Sequence, residues 1–170
     1  MEKYSQFNHL KIHSQYSICE GAAKIKDLAE FCKKNKVPSV GISDTSNLCG
    51  ALEFSENLSK SGTQPIIGTQ INFKYAGELG LIPIIAKSEK GYKSIIELSS
   101  KSFLNNDNLN LPHCQIEDLL KIGKDILVLT GSVNGLIGKL FYKGKFDEIK
   151  EIYKSLNKVF IKDFYIEIQR

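Results

Sequence analysis

The chain has 170 residues, 42% hydrophobic and 25% charged, an ordinary balance for a globular protein and enough for one core. Its 23 Lys and Arg against 19 Asp and Glu leave a formal charge of +4, spread in short mixed groups that neither mark nor exclude a nucleic-acid-binding face. Charged residues interrupt every apolar run before membrane-spanning length, and the opening MEKYSQFNHL has no signal-peptide core, so a cytoplasmic protein without membrane contact is expected.

Short apolar runs alternate with amphipathic stretches, the pattern of β/α units in a parallel sheet or barrel. The first run, residues 8–13, lies around HLKIHSQYS, where Leu10 and Ile12 point to one face of a strand and Lys11 and His13 to the other. KIKDLAEFCKKNK follows as a helix, with Ile25, Leu28, Ala29 and Cys32 at helical spacing and lysines opposite. The strand at 38–43 delivers Asp44 to a carboxyl end, where α/β proteins place chemistry. The competing expectation is that Asp44 or Ser46 caps a helix starting near Leu48. Strands at 65–73 and 81–86 come next, then a helix whose inward stripe reads Tyr92, Ile95, Ile96 and Ser99.

Residues 102–115, SFLNNDNLNLPHCQ, read as the longest loop. The strand at 125–130 leads into TGSVNGLIGK, which fails the phosphate-loop pattern twice: Val133 stands where Gly is needed and Leu140 follows Lys139. A strand-to-helix turn is expected there, with amides able to meet an anion. A last helix carries Ile149, Ile152, Tyr153 and Leu156 inward before a strand at 163–168. No turn or capping helix follows that strand, so residues 1–170 are expected to be one unit, the N-terminal portion of something longer. Cys19, Cys32, Cys49 and Cys114 lack CxxC spacing and read as small buried hydrophobes. His9 and His113 have no acidic or cysteine neighbours at ligand spacing. On residues alone, the reading stops at an α/β domain with a candidate cleft at strand carboxyl ends.

The order of segments is more specific. FNHLKIHSQYSICEGAAKIKDLAEF, VPSVGISDTSN, PIIGTQINF, IIAKSEKGYKSIIELSSKSF, DILVLTGSVNGLIGK and FYIEIQR together resemble the N-terminal PHP (polymerase and histidinol phosphatase) domain of bacterial DNA polymerase III alpha subunits, over nearly the whole chain. The resemblance implies an α/β fold, a PHP-type distorted β/α barrel (TIM-like) that is incomplete in 170 residues. In metal-binding members its strand ends hold two or three metal ions. The histidines of an HxH motif fall on Lys11 and His13, an acid on Glu20, the histidine of a TDH turn on Thr45, a glutamate on Gln70, a later histidine on Leu81 and a cysteine on Ser132. Asp44 lies beside them. His13 and Glu20 alone keep ligand chemistry, while Lys11 brings a positive charge to the place where cations would gather; two charges about 5 Å apart at an effective dielectric of 20 repel by roughly 3 kcal/mol.

The resemblance therefore implies a degenerate cleft, no cofactor for this domain, and a structural and docking role in DNA replication. Implied partners are the polymerase core of the same subunit and a proofreading exonuclease subunit, with DNA met through the holoenzyme. The DNA-directed DNA polymerase (nucleotidyltransferase) activity and its Mg2+ belong to residues outside this chain. The alternative is an active metal-dependent phosphoesterase or 3'-5' proofreading exonuclease, rebuilt around His13, Glu20 and Asp44. Lys11 is expected to pair with Glu20 or Asp44, to contact Gln70, or to reach solvent.

Overall fold

In a computed structural model that describes residues 7–104 and 111–168, the segment 10–14 runs parallel beside β1 (Ser39–Thr45). The Gly41 amide donates to the His9 carbonyl at 2.6 Å, the Ile12 amide to Gly41 at 3.1 Å and the Ser43 amide to Ile12 at 2.8 Å. Its pairing consists of isolated bridges, Ile12 with Ile42 and Ser14 with Ala23, so the strand expected at 8–13 is shorter and less regular. Glycine makes the approach possible, since a Cβ on Gly41 would stand 2.7 Å from the Leu10 carbonyl oxygen.

Helix α1 (Ile25–Asn35) buries Ile25, Ala29 and Cys32, and α2 (Ala51–Lys60) buries Phe54 and Leu58, in a cluster shared with Val40 and Ile42 of β1. β2 (Gln64–Tyr75) lies parallel to β1, Thr45 facing Gln70. The chain then reverses through Ala76 and Gly77, at φ 50° and 78°, the left-handed pair of a tight two-residue hairpin. β3 (Glu78–Ala86) consequently runs antiparallel to β2. β4 (His113–Gln115) extends alongside the far end of β2, β5 (Ile126–Leu129) is antiparallel to β3, and β6 (Phe164–Tyr165) is parallel to β5. The sheet order is β1-β2-β3-β5-β6, with β4 on β2. The parallel sheet expected from the β/α alternation is therefore a mixed one, because the hairpin replaces a helical crossover.

Helix α3 (Glu89–Leu104) turns Gly91, Ile95, Leu98 and Ser102 inward; of the expected stripe Ile95 is buried, Tyr92 and Ser99 are half-buried and Ile96 is 40% exposed. Gly91 fixes that rotation: the helix start lies so close to the Asp125 carbonyl that a Cβ would collide with it. Part of the expected long loop is structured, its first three residues as the end of α3 and its last three as β4; α4 (Ile116–Ile122) follows directly, its start closed by a reciprocal capping box between Gln115 and Asp118. Residues 105–110 of that loop lie outside the described residues. The turn after β5 leads into α5 (Leu136–Tyr142), as expected, and α6 (Phe146–Phe160) buries Ile152, Leu156 and Phe160, while Tyr153 of its expected stripe is 40% exposed. These helices and α3 close the larger core around Ile71, Phe73, Ile82, Ile84, Ile126 and Val128. Cys32 and Cys114 are buried as expected, but Cys19 and Cys49 are exposed. Among the described residues no helix is long and apolar enough to cross a membrane.

Candidate functional site

Ile12 packs against the α1/β1 core, so Lys11 and His13 project from the other face of their segment. They meet a cavity of about 280 Å³ that Glu20, Gln70, Leu81 and Ser132 also line. The topology explains the convergence. The 10–14 segment, β1 and β5 run in one direction and bring their carboxyl ends to this rim, while antiparallel β3 presents Leu81 from near its start. A bridge between Leu81 and Gly135 carries the turn after β5 over the cavity, with Gly131 and Ser132 at φ 81° and 61°; Gly131 and Asn134 complete its wall.

The Lys11 ammonium donates to both carboxylate oxygens of Glu167, at 3.1 and 3.4 Å. Their side chains are 23% and 15% exposed, so the pair is partly sheltered from water and salt. This corrects the expected partners: neither Glu20, Asp44 nor Gln70 pairs with Lys11. Glu20 instead accepts a short hydrogen bond from the Thr45 hydroxyl, which accepts from the Gln70 amide at 2.7 Å. Thr45, which does not line the cavity, thus ties two residues that do.

Asp44 is 2% exposed and does not line the cavity. Its carboxylate accepts from the Ser14 amide at 2.6 Å, the Ser14 hydroxyl at 2.7 Å and the Ser17 hydroxyl at 2.6 Å. It caps no helix, since α2 begins after Gly50 without a side-chain cap. Three donors from the 14–17 turn absorb its charge and leave it no place in a rebuilt site. His9 is exposed, and His113 sits in β4 with Nδ1 2.8 Å from the Leu111 carbonyl oxygen.

The donor set does not fit a two- or three-metal cluster. His13 and Glu20 offer lone pairs, but Glu20 is already engaged, Leu81 has none, and Lys11 places an ammonium in the cavity. Among the described residues no group of three or more His, Cys, Asp or Glu is arranged to hold a metal ion. Among the described residues, the Nδ1 of His13 is the one fully buried side-chain polar atom lining this cleft that has no hydrogen-bond partner. Sequence reasoning missed Glu167, and also Ser14 and Ser17 as partners of Asp44. Glu167 carries one signal, an isolated acid between Ile166 and Ile168 at the end of a strand.

A second cavity, about 540 Å³ and mostly apolar, opens on the other side of the 131–133 turn, between α5, α6 and residues 166–168. Phe141, Tyr142, Ile166 and Ile168 along it are 60%, 75%, 64% and 84% exposed. Ser132 and Glu167 stand close to both cavities.

Comparison with known proteins places this geometry. A DNA polymerase III subunit alpha of Borreliella burgdorferi is 34% identical over 177 residues, covering 98% of this chain and 15% of that protein. One of Rickettsia prowazekii is 35% identical over 166 residues, covering 97% of this chain and 14% of its own length. The chain thus spans only about one seventh of the curated relatives it matches. An amidohydrolase from Chromobacterium violaceum, 10% identical, superposes with a TM-score of 0.52 over 95% of this chain and 85% of its own, a likeness of fold. The PHP domain pattern matches residues 9–170, and with the mixed sheet bent into a distorted β/α barrel the chain belongs to the PHP domain family.

Proposed function

We propose that this PHP domain is a non-catalytic structural and docking module of a bacterial replicative DNA polymerase alpha subunit, working in the cytoplasm without a metal of its own. The observation that carries the reading is the Lys11 ammonium, held by Glu167 in the cleft where a metal-binding relative would need a ligand. A cation fixed to the chain repels a divalent ion and leaves the cleft without a Lewis acid or a metal-bound water to attack a phosphoester.

If the cleft does no chemistry, the domain acts through its surfaces. The apolar cavity beside α5 and α6 is the candidate docking face, since exposed apolar surface of this kind marks interaction sites. Its occupant in this reading is an apolar segment of the polymerase core, supported by relatives that extend far beyond the matched region. A proofreading exonuclease subunit is the second partner, DNA is met through the holoenzyme, and the polymerase's Mg2+ is bound outside this chain.

His13 gives the alternative its one foothold, because a buried, unpartnered ring nitrogen in a cavity that a carboxylate also lines is what a remaining ligand would look like. Hydrolysis separates the readings. With Zn2+ or Mn2+ supplied, the docking reading expects no turnover of a chromogenic phosphodiester or of DNA 3' ends, and exonuclease-subunit binding that survives chelator. Metal-dependent turnover lost in His13→Ala would establish the phosphoesterase.

A further inference from the structure

The Lys11–Glu167 pair joins the two cavities. Lys11 faces the polar cleft, whereas Glu167 belongs to the strand end that rims the apolar one. That strand end needs support. β6 pairs with β5 only at Phe164 and Tyr165, and Ile166 and Ile168 beyond it are exposed, so burial does little to fix them. Polar contacts to neighbouring segments take over, among them the Glu167 amide donating to the Thr130 hydroxyl at 2.9 Å and the Glu167 carboxylate receiving Lys11. Lys11 is in turn anchored through Ile12, whose amide and carbonyl are bonded to β1. The pair therefore links the 10–14 segment, on the outer side of β1, to the opposite end of the sheet.

We infer that Lys11 is a positioning residue: standing at a ligand position of the family cleft, it holds residues 166–168 through Glu167 and so shapes the rim of the apolar groove. The importance of the groove rests on the docking reading above; the positioning itself does not.

Hydrogen–deuterium exchange on the intact chain, without partner or metal, tests this. Lys11→Met and Glu167→Gln should each speed exchange of the amides of residues 166–168 by about three- to tenfold, the range expected for a half-sheltered ion pair. Amides of β1, β2 and β3 should keep their protection. Lys11→Arg, which keeps a cation of similar reach, should hold the segment close to wild type, and the reversed pair Lys11→Glu with Glu167→Lys should recover most of what either single change loses. Unchanged exchange at 166–168 in Lys11→Met, or a loss spread evenly over the whole sheet, overturns the inference. Because no partner is present, that failure leaves the docking reading standing, and failure to bind the polymerase core leaves the positioning role standing.

Discussion

The Asp44 carboxylate accepts three hydrogen bonds inside the protein, and each of those donors loses its partner if the acid is removed. Asp44→Ala should lower stability to urea by about 2–4 kcal/mol. It should leave the Lys11–Glu167 pair and the cleft intact, because Asp44 does not line that cavity. A change below about 0.5 kcal/mol in the urea midpoint analysis would mean that water replaces the acid without penalty. The cysteines give a second test at this scale. Burial pushes the Cys114 thiol up to about 11 and raises Cys32 as well, so both are protonated and shielded at neutral pH. A maleimide should therefore label Cys19 and Cys49 rapidly and the other two only on unfolding. Four equally fast thiols would contradict the packing of α1 and β4. At the residue scale, the alternation through HLKIHSQYS does put Lys11 and His13 on one face, and of the residues that the resemblance named, Lys11, His13, Glu20, Gln70, Leu81 and Ser132 line one cavity whereas Asp44 and Thr45 do not. Partners were not legible. Glu167 lies 156 positions from Lys11, a distance only the folded sheet abolishes.

At the scale of elements, the β2–β3 hairpin is the feature the alternation of strands and helices concealed. Its turn is Ala-Gly, without the Asn-Gly or Asp-Gly that announces such a reversal, and both residues adopt left-handed φ. The short α4 hid in the same way behind an Asn-rich stretch, its start marked by a Gln115 cap in place of Ser, Thr, Asn or Asp. Helices α1 and α6 were plain because their apolar spacing is long and regular, whereas the rotation of α3 depends on a collision that only the neighbouring Asp125 backbone reveals. The hairpin also carries a pH dependence. Hydrogen bonds from Lys145, then Lys143, both at 3.0 Å, hold the Glu78 carboxyl below its ordinary value of 4.5. The folded state thus binds that proton less readily than the unfolded chain; the contribution is complete above an ordinary carboxylate value and is lost as pH falls through the lower folded one. Glu78→Gln should reduce the melting temperature at pH 7 and converge with wild type in acid. A constant difference at every pH would remove this role for the two lysines.

On the docking reading, the cleft of the whole molecule is a structural joint and function lies on the surface beside α5, α6 and residues 166–168. Phe141→Ser combined with Ile166→Ser should weaken association with the polymerase core by at least about tenfold, since buried apolar anchors dominate such interfaces, while leaving the melting temperature within about 2 °C because both side chains are exposed. Unaltered association would place the contact elsewhere. The claim beneath all of this is that Lys11 and Glu167 hold the cleft without a metal. Its most direct test is the metal content of protein purified without chelator and dialysed mildly, read by elemental mass spectrometry. Zinc and manganese are expected well below one per chain, unchanged by His13→Ala; one or more ions per chain, lost in that variant, would contradict a cleft held by the ion pair alone.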